Sequence, residues 1–166
     1  MNNRTVGMPD VEPDQIDVRP CLVLPVLSLK QPCASLVAEN KKRIETRIWA
    51  TDYRGPLLIA ASASPRVADL PTGKALSIEN LIDCRPMRRE DEGRARCEIY
   101  PRAQSWILGE HWPIVPFPVK GRQGFYNVAV ARSAVGDDDL YDHLAVLSHD
   151  GYVAMKAHGK RWIIWS

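Results

Sequence analysis

Nowhere in the 166 residues do two cysteines stand close enough to begin a metal site. Cys21, Cys33, Cys84 and Cys97 are scattered, with no C-x-x-C pair and no histidine spaced to complete a zinc set. A metal is therefore not expected, and the thiols are read as reduced core or near-surface groups. His111, His143, His149 and His158 form no H-E-x-x-H helix, and no G-x-S-x-G elbow presents a serine, so zincin and α/β-hydrolase chemistry lack their frames. No cofactor is implied. Long apolar runs are missing as well: Gly55 to Ala61 is far too short to cross a bilayer, and Met1 to Pro20 has no apolar core of the signal-peptide kind. A cytoplasmic location without a membrane partner is the expectation. Internal repeats and low-complexity tracts are absent too.

What is present is an uneven distribution of charge. The formal net charge is +2, but residues 30–132 hold 17 Lys/Arg against 11 Asp/Glu. Residues 1–20 hold two arginines against four acids, and 136–150 hold five aspartates with no Lys or Arg. A basic middle with acidic flanks suits an anionic partner for the core, with flanks able to screen it. Ordinary surface charge is the plainer reading of the same numbers.

The chain is of a size for one domain. Residues 1–20, polar and carrying Pro9, Pro13 and Pro20, read as a mobile tail. The fold is expected to start at Cys21, with "CLVLPVLSL" a strand that Pro25 confines to an edge or a bulge. "PCASLVAEN" reads as a short helix with Pro32 in its first turn, Leu36 and Val37 on its inner side, and Asn40 as a left-handed cap.

From Ile44 the period changes to two. Ile44, Thr46 and Ile48 alternate with Glu45, Arg47 and Trp49, which places a carboxylate, a guanidinium and an indole on one face of a strand. "PLLIAAS" reads as a buried strand ending at Ser62, and Lys74 to Cys84 as another. "RPMRREDEGRARCEIY" is a charged excursion with a short helix and Glu90–Arg94 and Glu92–Arg96 pairs. "AQSWILGEHW" is a strand, "PIVPFPVKG" an extended connector and "GFYNVAVARS" a further strand. "DDDLYDHLAVLSHDG" suits a helix, and "YVAMKAHGKRWIIWS" a hairpin turning at His158–Gly159. Short strands with one or two helices favour a small mixed barrel of the mainly β, α+β class over a doubly wound sheet.

"LSLKQPCASLV", "ENKKRIETRIW", "YRGPLLIAAS", "LIDCRPM" and "PFPVKGRQGFYNV" together resemble the ASCH domain family, whose fold is a PUA-like β-barrel. The resemblance covers about residues 22–130, giving a 21–130 barrel domain and a 131–166 extension packed on or beside it. Asn40 to Arg47 matches the family's G-x-K-x-x-E-x-R signature through Lys42, Glu45 and Arg47, with Asn40 replacing the glycine. Cys33 stands where many relatives carry an aromatic residue.

The resemblance implies a cleft that holds RNA or a modified nucleotide, with DNA an alternative polymer. Lys30 and Gln31 of the first motif, with Lys42, Arg47 and Lys120, would supply donors, and Trp49 or Trp106 a stacking surface. Glu45 would orient Arg47 or accept from a base amine, Ser62 would stand on the rim, and Gln123 would lie in the two-glycine loop "VKGRQG". Each residue has a plainer reading. Glu45–Arg47 is then a structural ion pair, Lys41 and Arg43 are solvated, the tryptophans are core, Lys120 flanks a turn and Arg85 caps a strand end.

Some relatives remove the acetyl group of N4-acetylcytidine with a Lys, a Thr and a Glu, or cleave RNA. Here Lys42 matches the lysine but Glu45 stands at the threonine position, with Thr46 facing the other side of the strand. Hydrolysis, with Lys42 and Glu45 catalytic and Glu45 as general base, is the second hypothesis. An adaptor that docks a protein through 131–166 is the third.

Overall fold

The structure, a computed structural model, describes residues 21–157, with the backbone alone over 151–157. The expected tail at 1–20 and the turn and second arm of the expected hairpin, 158–166, lie outside the described residues.

Among the described residues, six strands form one mixed sheet. They are β1 (Val23–Leu29), β2 (Ile44–Arg47), β3 (Gly55–Ala61), β4 (Lys74–Pro86), β5 (Gln104–Pro118) and β6 (Tyr126–Ala129). Their spatial order is β2-β5-β4-β3-β1-β6, with β1 and β3 parallel and every other pair antiparallel. Register shifts in the β3–β4 and β4–β5 ladders bend the strands, and the sheet curls into a half-barrel. The short helices α1 (Cys33–Ala38), α2 (Glu92–Ala95, after a 3₁₀ turn at Arg89–Asp91) and α3 (Arg132–Val135) precede the long α4 (Asp138–Ala157).

Alternation along the strands gives the core two main layers, with a third, smaller cluster of Ile44, Met87, Ala95, Ala103 and Ile107 beside α2. Leu27, Leu29, Leu57, Ile59, Leu76, Leu81, Trp106 and Leu108 fill one face, with Val37 of α1. Leu24, Val26, Leu58, Ala60 and Ile78 fill the other, beneath Ala134 of α3 and Tyr141 and Leu144 of α4. Each buried Leu or Ile contributes about 1.5–3 kcal/mol, so both layers are needed for a chain of this size. In α1 the buried residues are Ala34, Ser35 and Val37, with Leu36 only half-buried, because the helix is a turn and a half long and lies close to the sheet.

The structure differs from the sequence expectations at several points. β1 is not an edge strand, since β6 pairs outside it; Pro25 is tolerated because the ladder to β3 begins only at Val26. The Pro-rich "connector" is the second half of β5, continuous with its first half and paired with β4 as far as Pro118. β2 covers β5 only from Gln104 to Ile107, so the flank beyond it is unpaired by any described strand, and there Pro113, Pro116 and Pro118 leave few ladder donors to satisfy. Tyr152 to Ala157, expected as a hairpin arm, continue α4. The Glu90–Arg94 and Glu92–Arg96 pairs are replaced by Arg88–Glu90, by Glu92 accepting from the Ile99 N–H, and by Arg96 donating to the Lys41 carbonyl.

Candidate functional site

The signature strand is entered through a helix end of the anticipated form. Asn40, at φ 59°, follows α1 in the left-handed conformation, and the Lys41 and Lys42 N–H groups both bond the Leu36 carbonyl. The chain then leaves the helix in position to start β2, whose pairing sets Glu45 opposite Trp106 and Arg47 opposite Gln104.

Lys42, Glu45 and Arg47 converge. The Lys42 ammonium lies 3.4 Å from one Glu45 oxygen, and Arg47 Nε lies 3.6 Å from the other. Lys42 is only 2% exposed, and its ammonium also donates to the Ala95 carbonyl at the end of α2. That carbonyl belongs to a helix end with no intrahelical partner, so a buried cation there satisfies two needs. Arg47 is the accessible member, with 28% of its side chain exposed. One terminal nitrogen donates to the Ser28 carbonyl of β1 at 2.9 Å, which links β2 across the mouth of the half-barrel. Its Nε is enclosed and makes no hydrogen bond.

Around these charges stand aromatic rings and a thiol. Trp106 is fully buried, donates its indole N–H to the Trp49 carbonyl, and offers no face to a ligand. Trp49 is half-buried, its ring edge-on to Trp106 at 4.6 Å and to Phe125 at 5.4 Å. Phe125 closes loop 119–125 onto the site, and in the same loop a Cβ at Gly121 would come within 3.5 Å of the Ser28 hydroxyl. Burial pushes the Cys33 thiol up; Lys42 and Arg47 oppose this, while Glu45 and Cys97 add to it. Cys33 therefore stays protonated at neutral pH and is a small neutral wall of the site rather than a nucleophile. Thr46 faces away and meets Cys97, its hydroxyl 3.7 Å from the sulfur.

Other anticipated residues lie apart from this centre. Gln31 is buried, its amide engaged by Ser35 and the Pro71 carbonyl, so it pins the 62–73 loop to α1. Lys30, Ser62, Lys120 and Gln123 stand at loops and strand ends, Ser62 half-buried and the other three exposed. Arg43, expected to be solvated, bonds Glu79 at 2.7 Å and the Gly109 carbonyl. Arg85 donates to the Pro86 carbonyl at the end of β4, as a strand-end cap does, and in addition forms a two-pronged pair with Asp91 at 2.7 and 2.8 Å. Lys41 is exposed, as expected, beside Glu39. Sequence reasoning missed Glu79 altogether. It is a buried carboxylate that accepts from Arg43, Ser77 and His111, and its signal was a lone acid within the apolar strand "KALSIENLI". Among the described residues no group of three or more His, Cys, Asp or Glu is placed to hold a metal, and no helix is long and apolar enough to cross a membrane.

The ASCH domain profile matches residues 27–115, more than half of the chain and including every residue of the Lys42–Glu45–Arg47 cluster. The chain belongs to the ASCH domain family. Human activating signal cointegrator 1 is 35% identical to this ASCH chain over 128 residues, which cover 61% of the chain and 22% of that protein. The mouse protein of the same name is 29% identical with the same coverage. The chain thus matches under a quarter of the length of these curated relatives. Among solved structures, the ASCH protein of Zymomonas mobilis is similar at 13% identity and a TM-score of 0.49, covering 79% of this chain and 94% of that one. A point variant of it gives 16% identity and a TM-score of 0.45, covering 66% and 91%.

Proposed function

We propose that this ASCH domain recognises a nucleic acid or nucleotide at the Arg47 site. The observation that carries the reading is the state of Arg47: partly exposed, held by Glu45 on its enclosed Nε side and by the Ser28 carbonyl on one terminal nitrogen, with the other terminal nitrogen making no hydrogen bond among the described residues. A guanidinium already oriented in this way donates a charge-assisted bond to an acceptor oxygen of a base or phosphate without first having to be ordered. Glu45 holds the guanidinium in place, and the half-buried Trp49 beside it supplies an apolar surface for a base. Lys42 acts one step back: its charge and its bond to Ala95 fix Glu45, and little of it reaches solvent.

The test is fluorescence anisotropy with a labelled single-stranded oligoribonucleotide, alongside calorimetry with cytidine and adenosine monophosphates. Arg47→Ala is expected to weaken binding of the monophosphates by about tenfold or more, the loss of a charge-assisted bond. Arg47→Lys is expected to recover only part of it, because an ammonium cannot reproduce the fork to Ser28 and the ligand together. Unchanged affinity in Arg47→Ala would remove this reading.

A further inference from the structure

Backbone pairing gathers one end of four strands into a row. Leu29 of β1 is the register partner of Ala61 in β3, Ala61 of Lys74 in β4, and Lys74 of Pro118 in β5. Three backbone bonds tie the loops beyond: Ser62 N–H to the Leu29 carbonyl, Gly73 N–H to Ala61, and Val119 N–H to Gly73. At this end stand Lys30, Arg66, Lys74, Lys120 and Arg122, with Asp69 the one carboxylate of the same segments. All five cations are exposed, and none has an ion-pair or hydrogen-bond partner among the described residues. The segment 83–103 behaves differently, interleaving six arginines with five acids and joining Arg85 to Asp91 and Arg88 to Glu90. Arg89, Arg94 and Arg102 of that segment are likewise exposed, but acids stand among them, whereas the rim carries five cations against one carboxylate along a row spanning about 14 Å, three strand spacings.

The row is continuous with the Arg47 site. Lys120 and Arg122 flank Gly121, which lies against Ser28, and Phe125 of the same loop packs on Trp49. We infer that this rim is a track for the phosphate backbone of a single-stranded nucleic acid, one of whose bases enters the Arg47–Trp49 site. The inference rests on the functional reading above and narrows it from a nucleotide to a polymer. A single strand is required because a base reaches a half-enclosed ring only when unstacked. The exposed cations bind phosphates through charge alone, without reading sequence.

The full chain is titrated with a labelled oligouridylate of roughly ten nucleotides while salt is raised from about 50 to about 400 mM. Contacts from five cations predict a slope of log affinity against log salt near −3.5, and the triple variant Arg66→Gln, Lys74→Gln, Arg122→Gln a slope near −1.5 with affinity lowered about tenfold or more. Mononucleotide affinity is expected to stay unchanged in that variant, since the rim lies outside the base site. An unaltered slope and affinity in the triple variant would overturn the track even if Arg47→Ala abolishes mononucleotide binding, which keeps the two readings separable. Equal or tighter binding of a duplex, or of phosphatidylserine vesicles, would likewise overturn it.

Discussion

Asp91 collects four hydrogen bonds: two from the Arg85 guanidinium, one from the Arg88 N–H and one from the Ser105 hydroxyl. Its carboxyl is held far below the usual range, first by Arg85, against the opposing cost of burial. A depressed folded-state value means that its stabilisation is complete above the unfolded value near 4, and is lost as pH falls through the lower folded value. Asp91→Ala is expected to cost about 3 kcal/mol, since it strands a partly buried arginine, and urea midpoints of the wild type should fall in acid more steeply than those of the variant. None of this was legible in "RPMRREDEGRAR", where nothing in the order of charges marks one acid as the centre. Lys42, Glu45 and Arg47 were legible because their spacing fixes which side of a strand they share. Arg43, one residue from Lys42, read as solvated because its partner Glu79 is 36 positions away in sequence.

The strands were easier to place than their ends. β3 and β4 announce themselves through continuous apolar runs, and Asn40 marks the end of α1. β5 was divided in two by its prolines, which argue against a central strand but not against one whose outer flank is free. Midway along β5, Gly109 shows how closely it is packed. A Cβ there would sit 2.7 Å from Ile82 Cγ2 of β4, so Gly109→Ala is expected to destabilise by about 1–3 kcal/mol. Ile82 is itself 52% exposed, so Ile82→Ala is expected to be nearly neutral and to recover most of that loss in the double variant. A double-mutant cycle from thermal unfolding checks this; additive losses would mean that backbone strain, not the Ile82 contact, decides.

For the molecule as a whole, the helices after residue 131 cover one face of the sheet. Tyr141 accepts from the Leu22 N–H and donates to the Val130 carbonyl, closing the ends of β1 and β6, and Leu144 is fully buried between α4 and the sheet. Leu144→Ala is expected to cost about 2–5 kcal/mol, and truncation at residue 131 to leave that apolar face bare, with aggregation visible in light scattering. If the truncated chain stays monomeric and folded, the helices are accessory. The family was legible in full from its motifs, and with it the half-barrel. The packing of α4 was not, because an amphipathic run states that it has an inner face without stating which surface receives it.

The prolines along the free flank of β5 reach beyond this chain's own folding. A strand edge offering both hydrogen-bond donors and acceptors invites a neighbouring copy to add itself, and successive additions build fibrils. Pro113, Pro116 and Pro118 bring no N–H to either edge of this half of β5, which thins the donors it can offer. Replacing the three prolines by threonine should therefore make concentrated solutions more prone to form fibrils, so that part of the chain's protection from amyloid is written into the same residues that disguised the strand.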